Sequence, residues 1–211
     1  MKTLSDKKTI RTYSRNAELI YKRRLQIIKS VERLFGKKGY GQTSTREIAI
    51  ACKMTIGALY YYIGSKEDVL QMMVEYQQNL FTRSFSRFMK NSASRSNTDI
   101  IIDAFDRLVR EMDKRHYFII FLWREMNYLP ATARKVVLTY ESNIILEFEK
   151  LLQSGCAKGE FKIQNIKLVA NDILFASEMW ALRRWLLKDF CSIDEYINYE
   201  TKRILDNILV K

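Results

Sequence analysis

Across Leu19–Phe35 the apolar residues Leu25, Ile28, Val31, Leu34 and Phe35 recur at spacings of three and four. That is the period of a helix that buries one face. Gly36-Lys37-Lys38-Gly39-Tyr40-Gly41 ends it, because glycine supplies the left-handed geometry of a helix C-terminus. Ser44-Thr45-Arg46-Glu47 then reads as a capping box, in which the Ser44 hydroxyl and the Glu47 carboxylate satisfy each other's amides. It opens a short helix from Thr45 to about Cys52. After a break at Lys53-Met54, Thr55 caps a second short helix, Ile56–Ile63, which Gly64 stops. Ser65-Lys66-Glu67-Asp68 is a second capping box and opens a long helix to about Asn91.

Beyond that point the pattern is of long helices with few breaks. Ser-rich Asn91–Asn97 reads as a loop, Thr98 caps a helix to about Lys114, and Tyr117–Tyr128 is another. Pro130 suits the first turn of a helix that runs to about Ser154. Gly155–Gly159 is a connection, and Asn165 to Lys188 and Ser192 to Val210 are the last two helices. Residues 1–15 are polar and basic without a period and read as a flexible arm, with Asn16 as the next cap. No repeat, low-complexity tract or strand stands out. The expectation is an all-α chain with the arm over 1–15, a head over 16–66 and a body over 67–211.

Composition supports this and removes several functions. The 211 residues are 47% apolar and 12% aromatic, enough for a real core. One Pro and seven Gly are too few turn formers for an all-β fold, and five of those Gly crowd between 36 and 64. One His and three scattered Cys (Cys52, Cys156, Cys191), with no C-x-x-C, exclude a structural zinc site and a disulfide framework. No cofactor or metal is expected. A Ser or Cys nucleophile has only His116 to call on, which leaves carboxylate-only chemistry for any enzyme. The longest unbroken apolar run, Tyr117–Trp123, is too short to span a bilayer. The start, Met1 to Lys8, has no apolar core of a signal peptide, so a cytoplasmic, non-membrane protein is expected.

Charge sharpens the picture. The net formal charge is +12. Residues 1–66 hold 15 Lys and Arg against 4 Asp and Glu, and the remainder holds 21 against 20. A basic head beside a neutral body attracts a polyanion, and counterion release makes nucleic acid the usual partner. A merely solubilising surface or an anionic membrane surface are the alternatives, the second wanting one long amphipathic basic helix.

Two short capped helices joined by a tight turn form a helix-turn-helix, with the motif at about residues 44–63. The second helix must enter a major groove about 12 Å wide, with its start against bases and its flanks against phosphates. Gly57 and Ala58 let its backbone come close, while Ile48, Met54, Leu59 and Ile63 hold it to its neighbours. Tyr60, Tyr61 and Tyr62 lie 100° apart in succession, so at least one turns its hydroxyl outward. The alternative for them is core packing.

Gly39-Tyr40, Thr43-Ser44-Thr45-Arg46-Glu47-Ile48-Ala49, Thr55 through Ile63 and Ser65-Lys66-Glu67 together resemble the TetR family of bacterial regulators, over roughly residues 22–75. The resemblance implies a three-helix DNA-binding head carried by a homodimer, and a six-helix body that binds an effector and dimerises. It implies phosphate anchors at Thr45 and Tyr60, with Thr43 and Lys66 beside them. Arg46 falls against a base edge or a phosphate, and Ile56, Gly57, Ala58, Tyr61 and Tyr62 lie on or beside the reading face. Lys53 stands where the family often has Gly, Ile63 where it usually has Phe and Cys52 where Ala is common. The basic arm (Lys2, Lys7, Lys8, Arg11, Arg15) either reaches a minor groove or is disordered.

In the body, Phe105, Met112, Trp123, Tyr140, Phe175, Glu178 and Met179 are the candidate ligand residues. Glu178, an acid on an apolar segment, is the one carboxylate singled out there. Gly155-x3-Gly159-Glu160-Phe161 resembles the connection before helix 8 in the family. Trp180-Ala181-Leu182-Arg183-Arg184-Trp185 is similar to late helix 8 of members that sense acyl-CoA thioesters, which implies a thioester or fatty-acid-like effector. Arg183 or Arg184 then serves a phosphate or a salt bridge at a dimer interface. Residues 165–210 are expected to pair two subunits about a two-fold axis, which demands a palindromic double-stranded operator. The expected function is a transcriptional repressor released by a small apolar effector, with helix 4 as the lever. The alternative is an effector-independent architectural or nucleoid-associated DNA-binding protein, with a fully filled body as its signature.

Overall fold

The computed structural model describes residues 17–90 and 95–210. Among the described residues there are nine helices: α1 (Ala17–Lys38), α2 (Thr45–Ala51), α3 (Ile56–Tyr60), α4 (Lys66–Lys90), α5 (Asn97–Lys114), α6 (His116–Glu125), α7 (Ala131–Ala157), α8 (Ile166–Leu187) and α9 (Ile193–Ile208). The arm expected over 1–15, the Asn16 cap and residues 91–94 of the expected loop lie outside the described residues. Among those described, β pairing is confined to one antiparallel bridge between Phe161 and Leu209. The chain is therefore all-α, as its apolar period requires. No helix of the described residues is long and apolar enough to cross a membrane.

The caps formed where side-chain oxygens meet free amides. Ser44 and Glu47 make the expected reciprocal box, Thr55 accepts from the Ala58 amide, and Ser192 and Glu195 make a second box at α9. At α4 the box is altered: Ser65 Oγ accepts from the Asp68 amide, but Asp68 reaches back to the Gly64 amide at 2.8 Å. At α5 the expected cap is wrong. Ser96, not Thr98, accepts from the Asp99 amide, so the helix begins at Asn97. Asn97 and Thr98 instead both hold Glu160, through Asn97 Nδ2 at 2.7 Å and the Thr98 amide at 3.1 Å. α7 also runs past its expected end. A Cβ on Gly155 would sit 2.0 Å from the Phe161 ring, so this glycine serves close packing inside the helix, and Gly159 (φ +75°) makes the turn.

In the head, Ile27, Val31, Ile48, Leu59 and Ile63 are fully buried among α1, α2, α3 and the start of α4. Gln26 Nε2 donates to the Cys52 carbonyl at 2.7 Å, which ties α1 to the turn between α2 and α3. That turn holds Lys53 at φ +55°. A left-handed side chain costs about 1 kcal/mol. Lys53→Gly is expected to raise stability by up to about 1 kcal/mol in urea unfolding; a loss of stability would show that the lysine is not strained. In the body α5 and α7 pack on α8, α4 packs on α7, and α1 packs on α6.

Candidate nucleic-acid interface and effector cavity

The motif presents one continuous outward face. Ile56, Gly57, Tyr60 and Tyr61 of α3 and its C-terminal turn are exposed, as is Arg46 of α2, while Leu59 and Ile63 point into the head. Tyr60 Oη donates to Thr45 Oγ1 at 3.4 Å, which brings the two expected phosphate anchors together on the rim. Arg46 has no carboxylate partner among the described residues, so its guanidinium is open to a base edge or a phosphate. Ala58 is half-buried. Tyr62 is half-buried against the head core and meets Tyr61 edge-on at 5.2 Å, so of the three tyrosines it is the packing residue.

Two expected DNA residues turn inward. Thr43 is buried, and its hydroxyl donates to the Gly39 carbonyl at 2.6 Å, so it shapes the loop instead of facing DNA. Lys66 Nζ donates to the carbonyls of Tyr40 (3.0 Å) and Thr43 (3.1 Å) and lies 4.3 Å from the centre of the Tyr40 ring. Those carbonyls have already claimed the ammonium. At α2, Lys38 first, and then the Ser44 amide and hydroxyl, hold the Glu47 carboxyl down at about 2. The exposed Ile50, on the outward side of α2, is an apolar residue that the sequence reading passed over.

The head is locked to the body through α1 and α6, a junction the sequence reading did not find. Phe35 stacks on Phe121 with ring centres 5.3 Å apart and meets Tyr40 edge-on at 5.4 Å. Arg124 Nη2 donates to the Phe35 carbonyl at 2.7 Å, and Glu125 accepts from Arg124 Nε at 3.0 Å and from the Gly41 amide at 3.4 Å. A Cβ on Gly36 would meet Tyr117 at 2.8 Å. Gly36, inside the last turn of α1, was the available signal, but glycine there also reads as a plain C-cap.

Between α4, α5 and α7 lies a cavity of about 40 Å³, walled by Phe81, Phe85, Leu108, Met112 and Tyr140, with Arg107 among its polar residues. Of the expected ligand residues, Met112 and Tyr140 stand here. Phe105 is sealed in the core and is no wall of the cavity. Trp123 and Phe175 instead lie on the outer surface with their rings 5.8 Å apart, because α6 and α8 present them away from α4. Glu178 is buried and accepts from Trp123 Nε1 at 3.0 Å, and Met179 is half-buried on the same helix. Burial pushes the Glu178 carboxyl up to about 7; Trp123 pulls it down and Glu141 pushes it further up. Arg184 Nε bonds Asp113 at 2.6 Å within the chain, and Arg183 lies over the exposed Trp185 ring. A wider groove of about 430 Å³ between α5 and α9 is open and rimmed by Asp103, Asp106 and Asp206. Lys202 also lines it, and Asp103 and Asp106 are paired with Arg95 and Arg110.

Residues 27–73 match the profile of the bacterial regulatory proteins, tetR family. The HTH-type transcriptional regulator HbdR of Aromatoleum sp. (strain CIB) is 23% identical over 194 residues, which cover 92% of this chain and 84% of that protein. The fold is that of AibR, solved in complex with isovaleryl coenzyme A and operator DNA (TM-score 0.74, 19% identity, 88% of this chain and 99% of that one). It is also that of the regulator FadR from Bacillus subtilis, solved in complex with stearoyl-CoA (TM-score 0.72, 16% identity, 86% of this chain and 97% of that one). The profile covers the whole motif, and the body behind it has the architecture of those regulators. Over residues 27–73 the chain thus carries the helix-turn-helix domain of the tetR family of bacterial regulatory proteins, and its whole fold is that of the helix-turn-helix transcriptional regulators it resembles.

Proposed function

We propose that the protein is a homodimeric repressor that leaves a palindromic operator when a small, largely apolar effector of acyl-CoA or fatty-acid type enters its body. The outward face of α3 carries this reading: a DNA-free role gives no reason to expose Ile56, Tyr60 and Tyr61 together on a basic head. Thr45 and Tyr60 take a phosphate, Arg46 reads a base edge or a neighbouring phosphate, and Ile56 offers apolar contact to a thymine methyl. Gly57 lets the α3 backbone approach. Thr43 and Lys66 support the site from behind.

Dimerisation is assigned to residues 165–210. α8 carries large apolar residues on its outward side as well as inward, Leu168, Phe175 and Trp185 being exposed. Such a face is disfavoured in water and suits a second copy. Release draws support from a run of aromatic rings: Tyr140 meets Phe118 (6.3 Å), Phe118 meets Phe121 (6.4 Å), and Phe121 meets Phe35. A ligand that moves the cavity wall thereby biases the head, by α6 and α1 as well as by α4. AibR and FadR, solved with acyl-CoA compounds, support the effector class.

One observation favours the alternative of an effector-independent DNA organiser: the cavity holds only about 40 Å³, little above one water's share of about 30 Å³. Gel shifts decide between the two. The repressor reading expects the protein's own promoter to be bound far more tightly than a random duplex at physiological salt, and octanoyl-CoA to weaken that binding. Arg46→Ala is expected to lower promoter affinity by about ten- to a hundredfold, and to affect the random duplex less. Equal affinity for both duplexes in the wild type would overturn specific regulation.

A further inference from the structure

Tyr140 is buried to 3% exposure, lines the α4–α5–α7 cavity, and its hydroxyl has no hydrogen-bond partner among the described residues. A phenol among apolar rings is normally paired; the Tyr140 hydroxyl instead stays open to the recess, where a ligand can meet it. Here the group without a partner sits in a recess among the α4 and α7 rings, beside the apolar walls Phe85, Leu108 and Met112. At the polar side of the same cavity, the Arg107 guanidinium lies 4.9 Å from the centre of the Phe88 ring and has no carboxylate partner among the described residues. Its neighbour along α5 differs: Glu111 is taken by Lys114 and Arg115.

We propose that the Tyr140 hydroxyl is the donor for a carbonyl oxygen of the effector, and that Arg107 binds the effector's anionic part. This rests on the acyl-effector reading above and deepens it. The ligand class is an apolar chain joined through a carbonyl to an anionic group, and a bare hydrocarbon or a cation is rejected. The chain itself needs more room than the cavity offers as it stands. The Phe81 and Phe85 rings, stacked 5.4 Å apart on α4, must swing aside to admit it. That movement falls on the helix that begins at the head, so anchoring at Tyr140 and release of DNA are two ends of one displacement.

The hydroxyl is tested with octanoyl-CoA against S-octyl-CoA, the thioether that lacks only the carbonyl oxygen, by titration calorimetry on wild type and Tyr140→Phe. Wild type is expected to prefer the thioester by about tenfold, the worth of one neutral hydrogen bond. Tyr140→Phe is expected to bind the two within about twofold of each other. Octanoate run beside them separates a free acid from a thioester as the source of the carbonyl, and whichever of the two shows Tyr140-dependent binding carries the proposal. Arg107→Gln is expected to weaken every anionic ligand in a salt-dependent way; unchanged affinity removes Arg107 from the site. Tyr140→Phe is expected to melt no lower than wild type, because it deletes an unpaired hydroxyl; a drop beyond about 3 °C marks a structural bond and overturns the anchor. Discrimination that survives in Tyr140→Phe, or is absent from wild type, overturns the anchor alone. Wild type that binds no acyl compound while still binding its promoter overturns the effector reading together with it.

Discussion

Phe35→Ala is expected to destabilise the protein by about 3–5 kcal/mol, a fall in melting temperature of roughly 10 °C for a chain of this size. Phe35 is fully buried at the end of α1 and stacks on Phe121 of the body while meeting Tyr40 of the head. Truncation removes the transfer energy of a whole ring and leaves a void between two rings that face it from different units. Neighbouring atoms cannot collapse into that void cheaply. Arg124 and Glu125 pin the backbone on one side, and the Gly39 amide bonds the Phe35 carbonyl at 2.8 Å on the other. The outward residues Arg46 and Tyr60 are untouched, so residual operator binding is expected at low temperature, where the head is still folded. Differential scanning calorimetry on wild type and variant checks the first part and a gel shift at 4 °C the second. A melting temperature within 2 °C of wild type would show that α1 and α6 do not hold the two units together.

What the sequence revealed and what it hid divide along physical lines. Caps were legible because they are local: Ser44 with Glu47 and Thr55 each act within three residues, and the expected helix starts at Asn165 and Ser192 are caps of the same local kind. The cap of α5 was misread because Ser96, Asn97 and Thr98 are all capable of it, and the choice fell to Glu160, more than sixty residues away. Gly155 was read as a breaker, since nothing in a linear pattern says that a distant Phe161 ring will lie on its Cα. In the head, helical angles required only that one of the three tyrosines turn outward; the outward roles of Tyr60 and Arg46 were implied by the family resemblance, and both are exposed. The inward turn of Thr43 and Lys66 was not legible, because both satisfy carbonyls that exist only once the loop from Gly39 to Thr43 is folded. In the body, apolar type alone did not separate cavity wall from outer face. Tyr140 and Trp123 are both large aromatics, and which of them meets α4 depends on how α6 and α7 cross. Arg107, Glu111 and Arg115 do recur every four residues beside Ala104, Leu108 and Met112, and that charged line was the readable sign of the cavity's polar side.

The Glu178 carboxyl gives the second large effect, as a stability that depends on pH. Burial raises it to about 7 from an ordinary 4.5. A raised carboxyl means that the folded chain keeps a proton where the unfolded chain has lost it. Its contribution is therefore full below about pH 4.5 and declines as pH rises through 7. A shift of this size is worth about 3 kcal/mol at one pKa unit per 1.36 kcal/mol. Glu178→Gln keeps an oxygen to accept from Trp123 Nε1 but carries no charge at any pH. The variant is expected to match wild type near pH 4.5 and to exceed it by about 3 kcal/mol at pH 8, in urea unfolding at one fixed protein concentration. A difference that stays flat across that range would mean that water reaches the carboxylate in the folded state. The sign also bears on dimerisation: Glu178 lies beneath Trp123 and Phe175, on the apolar outward side of α8. Covering that side with a second subunit deepens the burial and drives the carboxyl further up. The wild-type dimer is then expected to tighten as pH falls from 8 to 6 while the Glu178→Gln dimer does not, a contrast that sedimentation equilibrium measures directly.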